Sequence, residues 1–170
     1  SLKRKNITAV TIVSDNYPEE LKNITCPPLV LYCKGDISLL KNQNKIAIVG
    51  SRKNLPLSIK IAENYTQSLL DVGFIPVTGI AEGVDKTVLE TVIKKNKKAI
   101  SVIASGFDNI YPKENVTLVE EIIKKDGLVI TEYITEPQNK FERIKRFIDR
   151  DRLQAMFSKA VVLIASYTQG

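Results

Sequence analysis

The chain has 170 residues, 44% hydrophobic and 26% charged, with a net charge of +6 at pH 7, which suits one globular domain with room for a small extension. It contains no histidine, which excludes histidine general-base catalysis, the Ser-His-Asp triad and most zinc sites. Cys26 and Cys33 sit in no metal or redox spacing, the apolar runs are too short to span a bilayer, and no signal peptide is visible at the start, so a reduced cytoplasmic setting without a membrane partner is expected.

Residues 1–28 carry turn formers (Asp15, Asn16, Pro18, Pro27, Pro28) and little periodicity, and they read as an N-terminal extension. Leu29 to Cys33 is a short strand, and Asp36 starts a short helix through Leu40. Strands and helices then alternate. Strand 46–49 leads to a helix from Pro56 to Leu70, with proline in its first turn and Ile59, Ala62, Leu69 and Leu70 on one face. Strand 74–78 leads to a helix from Val84 to Lys95, and strand 99–103 to a helix from Glu114 to Lys125, capped by Gly127. After strand 128–131 comes an irregular stretch, 132–149. A helix then runs from Arg150 to Lys159, with Leu153, Met156, Phe157 and Ala160 at helical spacing. Strand 161–165 closes the series.

This alternation predicts an α/β fold, a doubly wound, mainly parallel sheet in three layers, over residues 29–170. A helix is expected after strand 161–165, and the chain stops at Ser166–Gly170 before one. The domain is therefore expected to lack its C-terminal part.

Three glycine-bearing loops follow strands: Gly50-Ser51-Arg52-Lys53, Gly79-Ile80-Ala81-Glu82-Gly83 and Gly106-Phe107. In a parallel sheet all three leave from the edge where such folds bind ligands. Glycines let backbone amides approach an anion, and the following helix points its positive end at it. The pattern therefore points to phosphate-bearing ligands.

Topology sorts the basic residues. Lys94, Lys95, Lys97, Lys98, Lys124 and Lys125 fall where helices end, on the opposite edge, and read as solvated helix termini that favour cations. The stretch 140–152 holds six basic and three acidic residues and falls on the glycine-loop edge with Arg52, Lys53 and Lys113. Arginine forks suit phosphate; a salt-bridged surface segment explains the same residues equally well.

The ordered motifs resemble the DprA/Smf family. Tyr17-Pro18, Leu21, Ile24, Pro27-Pro28, Leu31-Tyr32 and Lys34-Gly35, then Ile46 to Arg52, are similar to its entry pattern ending V-G-S-R. Thr78 to Asp85 resembles S-G-L-A-x-G-I-D. Gly106-Phe107-Asp108 with Tyr111-Pro112 and Asn115 resembles G-x-D-x-x-Y-P-x-x-N, and Gly127 to Glu132 resembles G-x-x-x-S-E. Phe147, Arg150, Arg152 and Leu153 fit F-P-x-R-N-R-I. Departures are Glu82 where lysine or arginine is common, a missing histidine in Lys86–Leu89, Ile148 for proline, Asp151 for asparagine, and Ala165 near a usual glutamate. Of the S-G-S-L-I-T-A segment only Gln169-Gly170 remains.

The resemblance implies an extended Rossmann-like fold and a non-enzymatic role in natural transformation and recombination. Such proteins bind and protect incoming single-stranded DNA and help load RecA, and homodimers occur. It implies no cofactor or metal. Gly50, Ser51, Arg52, Lys53, Gly79, Ala81, Gly83, Gly106 and Lys113 would face the DNA backbone, Arg150 and Arg152 would line the same pocket, and Phe107 or Tyr111 would stack a base. Arg52, Arg150 and Arg152 are expected to converge over the glycine loops. The alternative is a nucleotide-binding Rossmann protein of the lysine-decarboxylase-like (LOG) group that hydrolyses nucleoside monophosphates.

Overall fold

The structure, a computed structural model, describes residues 2–165. The expectations for Ser166–Gly170 lie outside the described residues.

Seven strands form one sheet: β1 (Thr8–Thr11), β2 (Val30–Gly35), β3 (Lys45–Gly50), β4 (Ile75–Thr78), β5 (Ile100–Val102), β6 (Leu128–Thr131) and β7 (Val161–Ile164), in spatial order β1-β2-β6-β5-β4-β3-β7. From β6 to β7 every neighbouring pair is parallel, while β1–β2 and β2–β6 are antiparallel. The inner parallel strands are mainly apolar on both faces, as a sheet covered on both sides requires; β6 is buried throughout, whereas the edge strand β7 is exposed at Val161 and Leu163.

The helices supply the covers. On one face lie α2 (Pro56–Asp71), α3 (Val84–Lys94) and α4 (Val116–Lys124), which bury Ala62, Leu70, Val84, Val88, Leu89, Val92, Leu118 and Ile122 against the sheet. On the other lie α1 (Glu19–Lys22), the 3-10 turn Ile37–Lys41 and α5 (Lys140–Met156), packing Leu21, Leu39, Leu40 and Leu153, with Phe157 just beyond α5, on Val77, Ile100, Val102, Leu128 and Ile130. The result is the doubly wound, three-layer α/β architecture the alternation predicts.

Two local expectations need correction. The sequence reading places no strand before Leu29, yet β1 pairs with β2 from Thr8↔Cys33 to Thr11↔Val30. The extension also sends Tyr17 and Leu21, both fully buried, into the main core, and the Tyr17 hydroxyl donates to the Pro28 carbonyl at 2.7 Å. A four-residue edge strand with only Val10 fully buried leaves almost no alternation to read.

The second correction concerns residues 140–149, which are helical rather than irregular. The Asn139 side chain caps the Glu142 amide at 2.9 Å, and the Glu142 carboxylate accepts from the amide of Gln138, just before the cap, at 2.7 Å; together they start α5 ten residues early. Its buried stripe is Arg146, Arg150, Leu153 and Gln154, while Phe141, Ile144 and Ile148 are exposed. Apolar periodicity cannot find a helix whose inward face is built of arginines.

Cys26 and Cys33 are both free thiols. Cys26 is exposed, and burial pushes the Cys33 thiol up to about 12. Among the described residues no helix is long and apolar enough to cross a membrane, and no group of three or more His, Cys, Asp or Glu could hold a metal ion.

Candidate functional site

The parallel register brings the ends of β3, β4 and β5 to one edge, so the three loops do emerge together. Four amides of the first two loops, however, are already engaged. Ser51 N–H donates to the Ile164 carbonyl at 3.2 Å, Val84 N–H donates to the Ser51 carbonyl at 3.1 Å, and Lys53 N–H donates to the Ser51 hydroxyl at 3.0 Å. Ala81 N–H donates to Asp85 Oδ2 at 3.3 Å. The anion held at the start of α3 is thus the protein's own Asp85.

The glycines serve the same internal fit. A Cβ at Gly79 would overlap the Arg150 guanidinium and the Asp85 carboxylate, and one at Gly83 would meet the Ser51 carbonyl; Gly83 also has φ of +83°, a conformation glycine adopts without penalty. Close approach here is between protein segments rather than between protein and ligand.

Arg150 and Asp85 form a buried pair beneath the loops, 3.7 Å apart with side chains 6% and 8% exposed. Arg150 Nη1 donates to the Val102 carbonyl at 3.3 Å, and its Nε lies 2.9 Å from Asp151 Oδ1. Burial raises the Asp85 carboxyl above its usual range, and Arg150 opposes that rise.

Above this pair runs a groove of three linked cavities. The first, about 410 Å³, lies between Gly50–Arg52, the Arg150–Gln154 turn of α5 and β7. The second, about 150 Å³, is walled by Arg52, Ala81, Glu82, Tyr111, Phe147 and Arg150. The third, about 170 Å³, is bordered by Tyr111, Lys113, Glu136, Arg143 and Phe147. Arg52 and Arg150 border the first two, and Tyr111 and Phe147 the last two, so the three form one path.

Phe147 is the hub. The exposed Arg52 guanidinium lies 5.4 Å from its ring centroid and Arg150 lies 6.0 Å away, both within cation–π range. Tyr111, 58% exposed, meets it edge to face at 6.3 Å and 71°. The path is lined by four basic residues (Arg52, Lys113, Arg143, Arg150) and four acidic ones (Glu82, Asp85, Glu136, Asp151). Asp85 and Asp151 pair with Arg150, and Glu82 lies 3.4 Å from Lys86. A larger cavity, about 630 Å³, lies elsewhere, along α2–α4; four glutamates and two lysines line it, a poor lining for a polyanion.

Two expectations about convergence are corrected. Arg152 leaves α5 on the far side from Arg150: its guanidinium donates to the Cys26 carbonyl and to Glu132 Oε1, both at 3.0 Å. It ties the N-terminal extension to β6, and Glu132, raised by burial, is its counter-ion. Phe107 faces away from the path, with Lys34 Nζ 5.0 Å from its ring and the core under α4 beside it; Gly106 sits against the Ile134 backbone. Arg52, Tyr111, Lys113 and Arg150 do share the groove, with Gly50, Ser51 and Ala81 at its walls; Lys53 is exposed beside it. The sequence places Arg143 in the basic stretch and Phe147 in a motif, but neither is marked there as a site residue. Had 140–149 been read as helix, spacing i, i+4, i+7 would have set Arg143, Phe147 and Arg150 on one face.

The family model of DNA recombination-mediator protein A matches residues 8–170. The chain belongs to this family. It is 33% identical over 162 residues to DNA processing protein DprA of Bacillus subtilis (strain 168), covering 95% of this chain and 53% of that protein. It is 37% identical over 123 residues to DprA of Streptococcus pneumoniae (strain ATCC BAA-255 / R6), covering 72% and 43%. The crystal structure of DprA from Streptococcus pneumoniae superposes with a TM-score of 0.85 at 31% identity, over 99% of this chain and 58% of that one. A structure of DNA processing protein A from Helicobacter pylori, described for its single-stranded DNA binding mode, gives 0.78 at 29% identity, over 96% and 71%. The chain thus spans about half the length of the curated relatives it matches. The fold is the Rossmann-like fold of the family, and nothing in these matches supports the nucleotide-hydrolase alternative.

Proposed function

We propose that this chain binds single-stranded DNA along the Arg52–Phe147–Tyr111 groove as a binding module without catalytic chemistry, in a DNA-processing role in transformation. One observation carries the reading: an exposed guanidinium laid over an aromatic ring, with a second exposed ring at its edge. Single-strand binders combine backbone cations with aromatic platforms for the bases, and base–aromatic stacking contributes about 1–3 kcal/mol per base. Arg52, Lys113 and Arg143 supply the cations; Phe147 and Tyr111 supply the platforms. Gly50, Gly79 and Gly83 shape the loops, and the buried Arg150 holds them. The Helicobacter pylori relative supports the ligand class.

Fluorescence anisotropy with a labelled single-stranded oligonucleotide at several salt concentrations tests this. Affinity falls as salt rises, with a slope of about 0.7 per phosphate neutralised. Phe147→Ala weakens binding by about 1–3 kcal/mol, and Arg52→Ala lowers both the affinity and the slope. Absence of binding at low salt refutes the reading. By the family resemblance the role extends to protecting incoming strands in the cytoplasm, to a RecA partnership and to a homodimer; co-purification with RecA and analytical ultracentrifugation test the last two.

A further inference from the structure

The groove carries equal numbers of acidic and basic residues, so the chain's net charge of +6 resides elsewhere. Much of it lies at the opposite edge of the sheet. Ile100 and Leu128 are register partners at the starts of β5 and β6, so the turns that precede them are neighbours. Those turns carry Lys94, Lys95, Lys97, Lys98, Lys124 and Lys125 against one exposed carboxylate, Asp126. Lys125 Nζ donates to Asn96 Oδ1 at 2.7 Å, which ties one turn to the other. Lys98 pairs with Asp36 at 3.0 Å, and Lys94 lies 3.7 Å from Glu63. Lys95, Lys97 and Lys124 are exposed and, among the described residues, have no carboxylate within salt-bridge reach.

Helix termini account for part of this charge. The carbonyls at the ends of α3 and α4 favour cations in the last turn, which covers Lys94, Lys95, Lys124 and Lys125. Lys97 and Lys98 lie beyond the helix, in the loop. The surface is also bare of exposed large apolar side chains over residues 94–98 and 124–127. A membrane-inserted amphipathic site sets apolar side chains beside its lysines, and a single-strand platform needs aromatics; this patch has neither. It has the composition of a contact for a phosphate backbone alone.

We infer that the lysine turns at 94–98 and 124–125 form a second nucleic-acid contact, on the sheet edge opposite the groove, which holds duplex DNA through its phosphates without reading sequence. The two contacts let one chain hold a single strand at one edge and a duplex at the other.

A mixed-sequence 20-base-pair duplex serves as the probe, because its paired bases cannot enter an aromatic groove. In anisotropy titrations, Lys95→Gln/Lys97→Gln/Lys124→Gln lowers duplex affinity at 50 mM salt by roughly ten- to hundred-fold and reduces the slope of log affinity against log salt by about 2 to 3, at about 0.9 for each phosphate no longer neutralised. Lys97→Gln alone reduces it by about 0.9, which keeps the test open if the triple variant misfolds on circular dichroism. Arg52→Ala leaves duplex affinity within about two-fold, since distant sites act independently; its effect on single strands reports the groove separately. Unchanged duplex affinity and slope in a folded triple variant overturn the inference. So does a triple variant that loses binding to vesicles containing anionic phospholipid while its duplex binding is unchanged, which would assign the patch to a membrane surface.

Discussion

Arg150→Gln separates the two roles an arginine beneath a nucleic-acid groove can have. Its side chain is 6% exposed and faces Asp85, itself 8% exposed, at 3.7 Å. Removing one partner of a buried ion pair strands the other, at a cost of about 3–5 kcal/mol. The 3.7 Å separation is looser than a direct hydrogen bond, so the lower end, about 3 kcal/mol, applies. For a chain of this size each kcal/mol moves the melting temperature by about 2–4 °C, which gives a fall of roughly 6–12 °C. The effect depends on pH. Burial raises the Asp85 carboxyl and Arg150 opposes it, so the variant raises it further. A carboxyl whose folded pKa exceeds its unfolded value adds stability below the unfolded value and loses it as pH climbs through the folded one. The deficit of the variant is therefore smallest in acid and largest at neutral pH. Differential scanning calorimetry from about pH 4 to pH 7.5 reads both quantities, and Asp85→Asn/Arg150→Gln recovers a good part of the loss. A folded Arg150→Gln protein with a melting temperature within about 2 °C of the parent, but with much weaker single-strand binding, would refute the reasoning: Arg150 would then be a direct ligand and not a strut.

Gly79→Ala forces the Arg150 guanidinium and the Asp85 carboxylate off the loop; calorimetry should show a destabilisation of about 1–3 kcal/mol, as for overpacking. Arg152→Ala frees the Cys26 carbonyl and leaves the half-buried Glu132 without its counter-ion. Hydrogen exchange in β1 and around Cys26 should accelerate, while single-strand affinity, read by anisotropy, stays the same. Glu82→Lys replaces an acidic groove wall with a basic one, and the salt slope for single strands should steepen by about 0.7, the value for one more phosphate neutralised.

Most of the fold is legible in the sequence because its parallel strands and the helices α2–α4 obey simple rules. Ile46–Ile48, Val77 and Ile100–Val102 are buried and, but for Ser101, apolar, and Val84, Val88, Leu89 and Val92 recur at helical spacing. The illegible parts are those where burial and hydropathy disagree. The inner face of α5 carries Arg146 and Arg150, and its outer face carries Phe141, Ile144 and Ile148. Arg146 is nevertheless satisfied: it donates to Glu142 Oε1 at 2.7 Å and to the Glu136 carbonyl at 3.3 Å, and it also donates to the Thr135 carbonyl. A buried cation with that many partners is stable, but no hydropathy pattern announces it. β1 escaped for a different reason, since its four residues acquire meaning only once β2 lies beside them.

The same disagreement explains the site. A glycine-rich loop after a strand is ordinarily read as a cradle of amides for a phosphate. Here the loop after β4 is closed by Asp85, and the Ser51 backbone is consumed by Ile164 and Val84. With those amides committed, positive charge must reach a ligand through side chains that stand clear of the loops. Arg52 does so because Phe147 supports its guanidinium from α5. The helix that the sequence concealed is therefore what converts two closed loops into an open groove. Disrupting α5's start with Asn139→Ala, which removes the cap on the Glu142 amide, should cost about 1 kcal/mol of stability. It should also weaken single-strand binding although residue 139 borders none of the three cavities; an unaffected affinity would show that Arg52 needs no platform.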